Sequence, residues 1–279
     1  MTEPLKRMAR EPAKTLAKRL RCHVVTMTHR ARSSHVGTAL SIVDMLAVLY
    51  GGVLRVDPRE PEWPDRDRFL LSKGHGAAAA YAALAEAGFF PVSDLDTYYQ
   101  DGSALAGHIN HTDVSGVDAS IGSLGHGLAI ACGMALAGQR DGRPSRVYVM
   151  LSDGECDEGS TWEAALFAPH HHLDNLVAMV DYNKIQSLGR VEDILDLEPL
   201  AEKWKSFGWG VREIDGHRIP AIAAALGSVP FEPTRPSCII AHTVKGKGVS
   251  FMEDNLLWHY RPPDDTELEK ALAELEAAE

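Results

Sequence analysis

The sequence predicts an α/β protein of three layers, a doubly wound, mostly parallel sheet with helices on both faces. Two observations carry this. Five short apolar runs, 69–72, 146–151, 176–180, 210–214 and 237–241, are each bounded by turn or cap residues and read as strands buried on both faces. Between them lie alanine-rich stretches of helix-forming composition, so strand and helix alternate as parallel strands with crossover connections require.

The elements follow in order. The basic opening segment 6–21 has the charge of a transit peptide or membrane-surface helix, but Glu3 and Glu11 and the lack of serine before Ser33 favour a first helix packed on the domain. The turn-rich stretch 56–67 reads as a surface loop and not as a domain boundary. Helices are expected over 76–87 after the first strand, over 125–137 before the second, over 160–168 between the second and third, and over 219–226 between the fourth and fifth. The closing segment, about 264–279, reads as an exposed, acidic amphipathic helix. No internal repeat or low-complexity linker interrupts the chain, so residues 1–279 are expected to form one domain.

Composition narrows the function. With 279 residues, 45% hydrophobic and 24% charged, the chain has enough material for a large core. A net charge of -11, from 28 Lys plus Arg against 39 Asp plus Glu, argues against nucleic acid and anionic membranes as partners. Cys22, Cys132, Cys156 and Cys238 are far apart and lack C-x-x-C spacing, so neither a zinc knuckle nor a disulfide framework is expected. No run approaches the roughly 18 apolar residues of a spanning helix. A cytoplasmic location is expected.

Ligands of such sheets bind beyond the carboxyl ends of the strands. There the second strand delivers Ser152-Asp153-Gly154-Glu155, and thirty positions after Asp153 the third strand ends in Asn183, within Asp181-Tyr182-Asn183-Lys184-Ile185. Glycine admits an anion close to the backbone, the N–H groups of the helix from about Gly159 favour it, and Asp153 and Asn183 offer hard oxygens to a divalent cation. Either signal alone is a common turn or strand end; a diphosphate held through magnesium needs both.

In this order the two elements resemble the signature of thiamine-diphosphate enzymes, a G-D-G followed about thirty residues later by an asparagine. Here Ser152 replaces the first glycine, which suits a negative φ and would be strained at a positive one. Further blocks resemble transketolases over nearly the whole chain: Ser34-His35-Val36-Gly37, Asp67 through His75, Gly107-His108, Gly122 through Gly127, and Thr243 through Glu253 continuing to Trp258-His259. The last block is similar to the end of the cofactor domain in two-subunit transketolases.

The resemblance implies roles. His35 and His108 match histidines that handle substrate hydroxyls, and His75 and His259 match histidines near the diphosphate and the donor sugar, so His35, His108 and His259 are the catalytic candidates. Proton transfer near neutral pH suits imidazole. Asp153, Asn183 and the backbone carbonyl of Ile185 would ligate magnesium, or calcium or manganese in its place. Gly154 would contact the diphosphate, and Gly122 and Leu124 would border the aminopyrimidine. Glu158, counted with the cofactor residues, matches a glutamate at the contact between subunits. After His259 the run Tyr260-Arg261-Pro262-Pro263 departs from the family pattern, so that Arg261 could reach an anionic substrate or Tyr260 could narrow the entrance. His170-His171-His172 cannot share one ion from consecutive helical positions and are assigned to a helix C-terminus. His126, where the family pattern commonly has glutamine, is assigned a structural place at a helix start.

The resemblance also implies what must come from elsewhere. Thiamine diphosphate is activated by a carboxylate on its aminopyrimidine, and the chain offers no candidate for it. A partner subunit with the pyrimidine-binding and C-terminal domains is therefore expected, in a heterotetramer that self-associates through the cofactor domain. The expected activity is ketol transfer between a ketose and an aldose, with a sugar phosphate or related polyol as substrate. The alternatives are another thiamine-dependent carboligase, similar to deoxyxylulose-phosphate synthase or to a 2-oxo acid decarboxylating enzyme, and a non-catalytic assembly role.

Overall fold

The computed structural model describes residues 12–278, so the part of the basic opening segment before Pro12 lies outside the described residues. All five expected strands form, with ends within two residues of those read from the sequence: β1 Arg68–Leu71, β2 Val147–Ser152, β3 Leu176–Tyr182, β4 Gly210–Asp215 and β5 Ser237–His242. They make one parallel sheet in the order β1-β2-β3-β5-β4. The central strands β2 and β3 are buried at every residue, which is why their sequences are apolar without alternation. The expectation of burial fails at β4. It is an edge strand, and Arg212, Glu213 and Asp215 are exposed along it.

Among the described residues, ten α-helices surround the sheet. The first, α1 Ala13–Ala31, buries Leu16, Leu20, Val24 and Met27, a stripe at helical spacing. It is followed by α2 Val36–Ser41 and α3 Val43–Val48, short helices in which every residue is buried. The expected helices appear as α4 Ala77–Glu86, α5 Gly127–Arg140, α6 Gly159–His170 and α9 Ile219–Gly227; α7 Val191–Ile194 and α8 Leu200–Ser206 lie between β3 and β4. The acidic closing helix is α10 Asp265–Ala277, started by a capping box in which Asp264 accepts from the Glu267 backbone and Glu267 from the Asp264 backbone. It presses Ala271 and Leu275 inward, so it is exposed only on its outer side.

Right-handed crossovers distribute these helices between the faces. The connections β2 to β3 and β3 to β4 run one way across the sheet and carry α6 and α8, which meet through Trp162 and Trp204 with ring centroids 5.5 Å apart. The return from β4 to β5 runs the other way, placing α9 against α3 in the group built by α1 to α4 and α10. Ser152 pairs in register with Asp181, and Asp181 with Ala241, so the loops leaving β2, β3 and β5 open side by side at one end of the sheet. Among the described residues, no helix is long and apolar enough to cross a membrane.

Candidate functional site

At that end of the sheet is a cleft of about 200 Å³ lined by His35, His75, His108 and His259, by Leu124, and by Asp153, Gly154, Asn183 and Ile185. Residues separated by more than 200 positions are thus gathered by strand ends and three loops. The ring of His35 lies 5.3 Å from His75, 5.5 Å from His108 and 5.0 Å from His259, centroid to centroid. Backbone geometry fixes this centre. His35 has a left-handed φ of 76° at the start of α2, costly for a residue with a side chain, and its N–H donates to the His259 carbonyl at 3.0 Å.

The imidazoles are held neutral. Burial, then His108 and the lysines Lys245 and Lys73, lower His35 to about 4, while burial and Lys245 lower His259 to about 3. His75 is pushed well down and His108 down, in both cases first by burial. Lys245 donates from Nζ to the Ile185 carbonyl at 2.7 Å and to Nδ1 of His259 at 2.9 Å. His259 Nδ1 is therefore an acceptor, which puts its proton on Nε2.

The oxygens meet the requirements of a hard divalent cation. Asp153 is buried, accepts backbone N–H groups from Gly154 at 2.8 Å and Lys184 at 2.7 Å, and is pushed up to about 6 by burial and by Asp181. A carboxylate in that state gains from a bound cation. The Asn183 amide is oriented by its neighbours: Nδ2 donates to Asp181 at 2.8 Å and Oδ1 accepts from Ile185 N–H at 3.1 Å. Asp153, Asn183 Oδ1 and the Ile185 carbonyl make a donor set for magnesium or calcium; among the described residues no group of three or more His, Cys, Asp and Glu could hold a metal by itself.

Beneath this set lies a network that sequence reasoning misses. Lys73, fully buried, donates to Asp181 at 2.5 Å and to the Thr38 carbonyl at 3.1 Å. Burial raises the Asp181 carboxyl, but Lys73 and the hydroxyls of Thr243 and Ser41 hold it below the ordinary range. Glu155, also fully buried, accepts from Ser72 Oγ, from Gly125 N–H at 2.9 Å and from Ser152 N–H at 3.4 Å, pinning the loop of Gly122 and Leu124 to the strand ends. The Ser-Lys-Gly-His and Ser-Asp-Gly-Glu runs contain these residues, but nothing in them marks which side chains point inward.

Other expected residues fall in different places. Gly122 borders the cleft, as a Cβ there would stand 3.8 Å from the His108 ring. Glu158 is exposed at the start of α6, outside the residues that line the cleft, so the turn Gly154–Asp157 and not α6 reaches the site. Ser152 ends β2 without a positive φ and accepts Glu155 N–H on its hydroxyl, so the serine is accommodated there without backbone strain. Arg261 is committed to Glu267 and stacked over Trp258, whereas the Tyr260 hydroxyl donates to the Ser187 carbonyl at the cleft's rim. Of the two readings of the departure after His259, the narrowed entrance is the one this geometry favours. His126 caps the start of α5 and His170 to His172 close α6.

Comparison with known proteins agrees with the geometry. Residues 13–275 match the family model of the transketolase thiamine diphosphate binding domain. A 6-deoxy-6-sulfo-D-fructose transketolase subunit from a Clostridium species is 47% identical over 242 residues, covering 87% of this chain and 88% of that one. An apulose-4-phosphate transketolase chain from Actinobacillus succinogenes, likewise named as one of two or more subunits, is 42% identical over 261 residues, covering 93% and 94%. The solved transketolase of Leishmania mexicana superposes with a TM-score of 0.89 at 30% identity, over 95% of this chain but only 41% of that longer one. The chain belongs to the transketolase family, of which it is a thiamine-diphosphate-binding domain.

Proposed function

We propose that this chain is the diphosphate- and metal-binding half of a two-subunit transketolase that moves a ketol unit from a ketose to an aldose. The observation that carries the reading is the meeting, in one cleft, of four neutral histidines with the oxygens of Asp153, Asn183 and Ile185. Relatives of matching length bear the names of subunits, and this supports a partner chain that supplies the pyrimidine-binding face.

Thiamine diphosphate, when bound, supplies a stabilised carbanion for attack on a ketose carbonyl. Asp153, Asn183 Oδ1 and the Ile185 carbonyl would hold magnesium, and Gly154 N–H would face the diphosphate. The residues of this chain then handle protons. His259 offers Nε2–H to a substrate oxygen, while His35 and His108, uncharged at neutral pH, can accept a hydroxyl proton and return it. Lys245 keeps positive charge beside them and thereby opposes their protonation. A set of neutral imidazoles suits a polyol with several hydroxyls better than a 2-oxo acid, whose carboxylate needs no proton relay. A sugar phosphate or related polyol is therefore the substrate class, and the cytoplasm is the expected compartment.

The test is co-expression with a pyrimidine-domain partner, followed by coupled assays of ketol transfer from a panel of ketose phosphates and of pyruvate decarboxylation. Transfer supports the reading. Decarboxylation alone would move the protein to another thiamine-dependent class, and cofactor binding with neither activity would favour an assembly role.

A further inference from the structure

We propose that His217 is a positioning residue that sets the place of Lys245 from outside the cleft. The inference rests on the reading of the site given above and extends it to a part of the fold that no motif of the site includes. His217 follows β4 at Asp215-Gly216-His217, where the loop must pass close to the end of β5: a Cβ on Gly216 would lie 2.4 Å from Thr243 Cγ2. That approach brings the ring against the turn carrying Lys245. Nε2 of His217 accepts the Val244 backbone N–H at 2.8 Å, and Nδ1 pairs with Asp44 Oδ2 at 2.8 Å.

The hydrogen-bond roles are forced. A backbone N–H can only donate, so Nε2 is bare and the proton sits on Nδ1, donated to Asp44. Asp44 is kept ionised, since His217 and the Arg21 guanidinium outweigh the burial that would raise it. Arg21 grips Asp44 through both terminal nitrogens, at 3.1 and 2.6 Å, and its Nε donates to the Lys247 carbonyl at 3.1 Å. One buried carboxylate on α3 therefore holds the Lys245 turn at both ends, at Val244 through His217 and at Lys247 through Arg21. On the other side, Gly246 N–H donates to the Gly37 carbonyl at 2.8 Å, tying the same turn to the helix that begins at His35.

Lys245 has little freedom left. Its ammonium reaches both the Ile185 carbonyl and His259 Nδ1, so a shift of the turn would disturb a metal-ligand candidate and the tautomer of His259 together. His217 touches neither the cleft nor its contents, and its influence passes through the backbone of Val244.

The experiment is a double-mutant cycle on the complex with its partner chain, reading the affinity for thiamine diphosphate with magnesium by calorimetry and the melting temperature in parallel. His217→Asn keeps a donor for Asp44 and loses the acceptor for Val244; His217→Gln places an amide oxygen near the position of Nε2. His217→Asn is expected to weaken binding about 10–100-fold, the range typical of groups that orient ligands, while His217→Gln recovers most of it. In a Lys245→Met background, His217→Asn should change affinity by less than about 2-fold, since the side chain through which it acts is gone. Equal losses in both backgrounds, or equal losses for Asn and Gln, would overturn the proposal, as would unchanged affinity in His217→Asn. If Lys245→Met binds too weakly to titrate, the contrast between Asn and Gln decides. A wild-type complex that binds no cofactor would instead sink the reading of the site itself.

Discussion

Replacing Lys73 with methionine tests whether the buried pair beneath the site holds the strand ends together. Methionine preserves the aliphatic stem, so little cavity is created, and the change is confined to the ammonium. What is lost is a 2.5 Å bond to Asp181 and a 3.1 Å bond to the Thr38 carbonyl, at positions where both Lys73 and Asp181 side chains are 0% exposed. Asp181 would keep its donors from Ser41, Thr243 and Asn183 but lose the counter-charge in contact with it, and removing one partner of a buried pair costs about 3–5 kcal/mol. In a chain of 279 residues this is a fall in melting temperature of roughly 6–15 °C. Urea unfolding followed by far-ultraviolet circular dichroism measures it. Adding Asp181→Asn to the same chain removes the orphaned charge while keeping the shape, and at least half of the lost stability should return. A cost under about 1 kcal/mol for Lys73→Met, or a double variant no more stable than the single, would refute the reasoning.

The remaining predictions concern the cleft. Asp153→Ala should abolish magnesium-dependent binding of thiamine diphosphate, and unchanged affinity by calorimetry would remove Asp153 from the metal site. His108→Ala should leave cofactor affinity nearly intact while lowering kcat by about 10²–10⁴-fold, the usual loss of acid–base help, in a steady-state assay of the assembled enzyme. Stability should also fall with acid. His35 titrates near 4 and His259 near 3 in the folded chain, against an ordinary 6.5, so the unfolded chain binds more protons between those values. The stabilisation from keeping these rings neutral is present above about pH 6.5 and is lost as pH falls towards 4. Urea midpoints measured across that window should drop, and less steeply in His35→Asn; a flat profile in the wild type would contradict the assigned neutrality.

How much is legible in the sequence depends on the kind of signal. Strands β2, β3 and β5 are visible because burial on both faces leaves almost no polar residues in them. β4 is recognisable as an element but not as an exposed one, since its place at the sheet edge depends on the later insertion of β5 between it and β3. The buried pair of helices α2 and α3 escapes sequence reading, because a segment apolar on all sides shows no helical stripe. The histidines and Asp153 stand out through motifs. Lys73 and Asp181, 108 positions apart, do not: a long-range ion pair leaves no local pattern. Asp44 and His217, 173 positions apart, escape for the same reason. Arg261 shows the opposite error, a charge that looks available in sequence but is spent on Glu267 and Trp258.

The central claim is that this chain holds one face of a magnesium-dependent thiamine diphosphate site and that a second subunit completes it. Calorimetric titration of the cofactor, with magnesium and then with a chelator, into this chain by itself and into its complex with a pyrimidine-domain partner tests that claim most directly. The account expects binding that requires magnesium and tightens at least about tenfold, or about 1.4 kcal/mol, when the partner is present. Absence of binding in both forms, or equal affinity with and without magnesium, would contradict it.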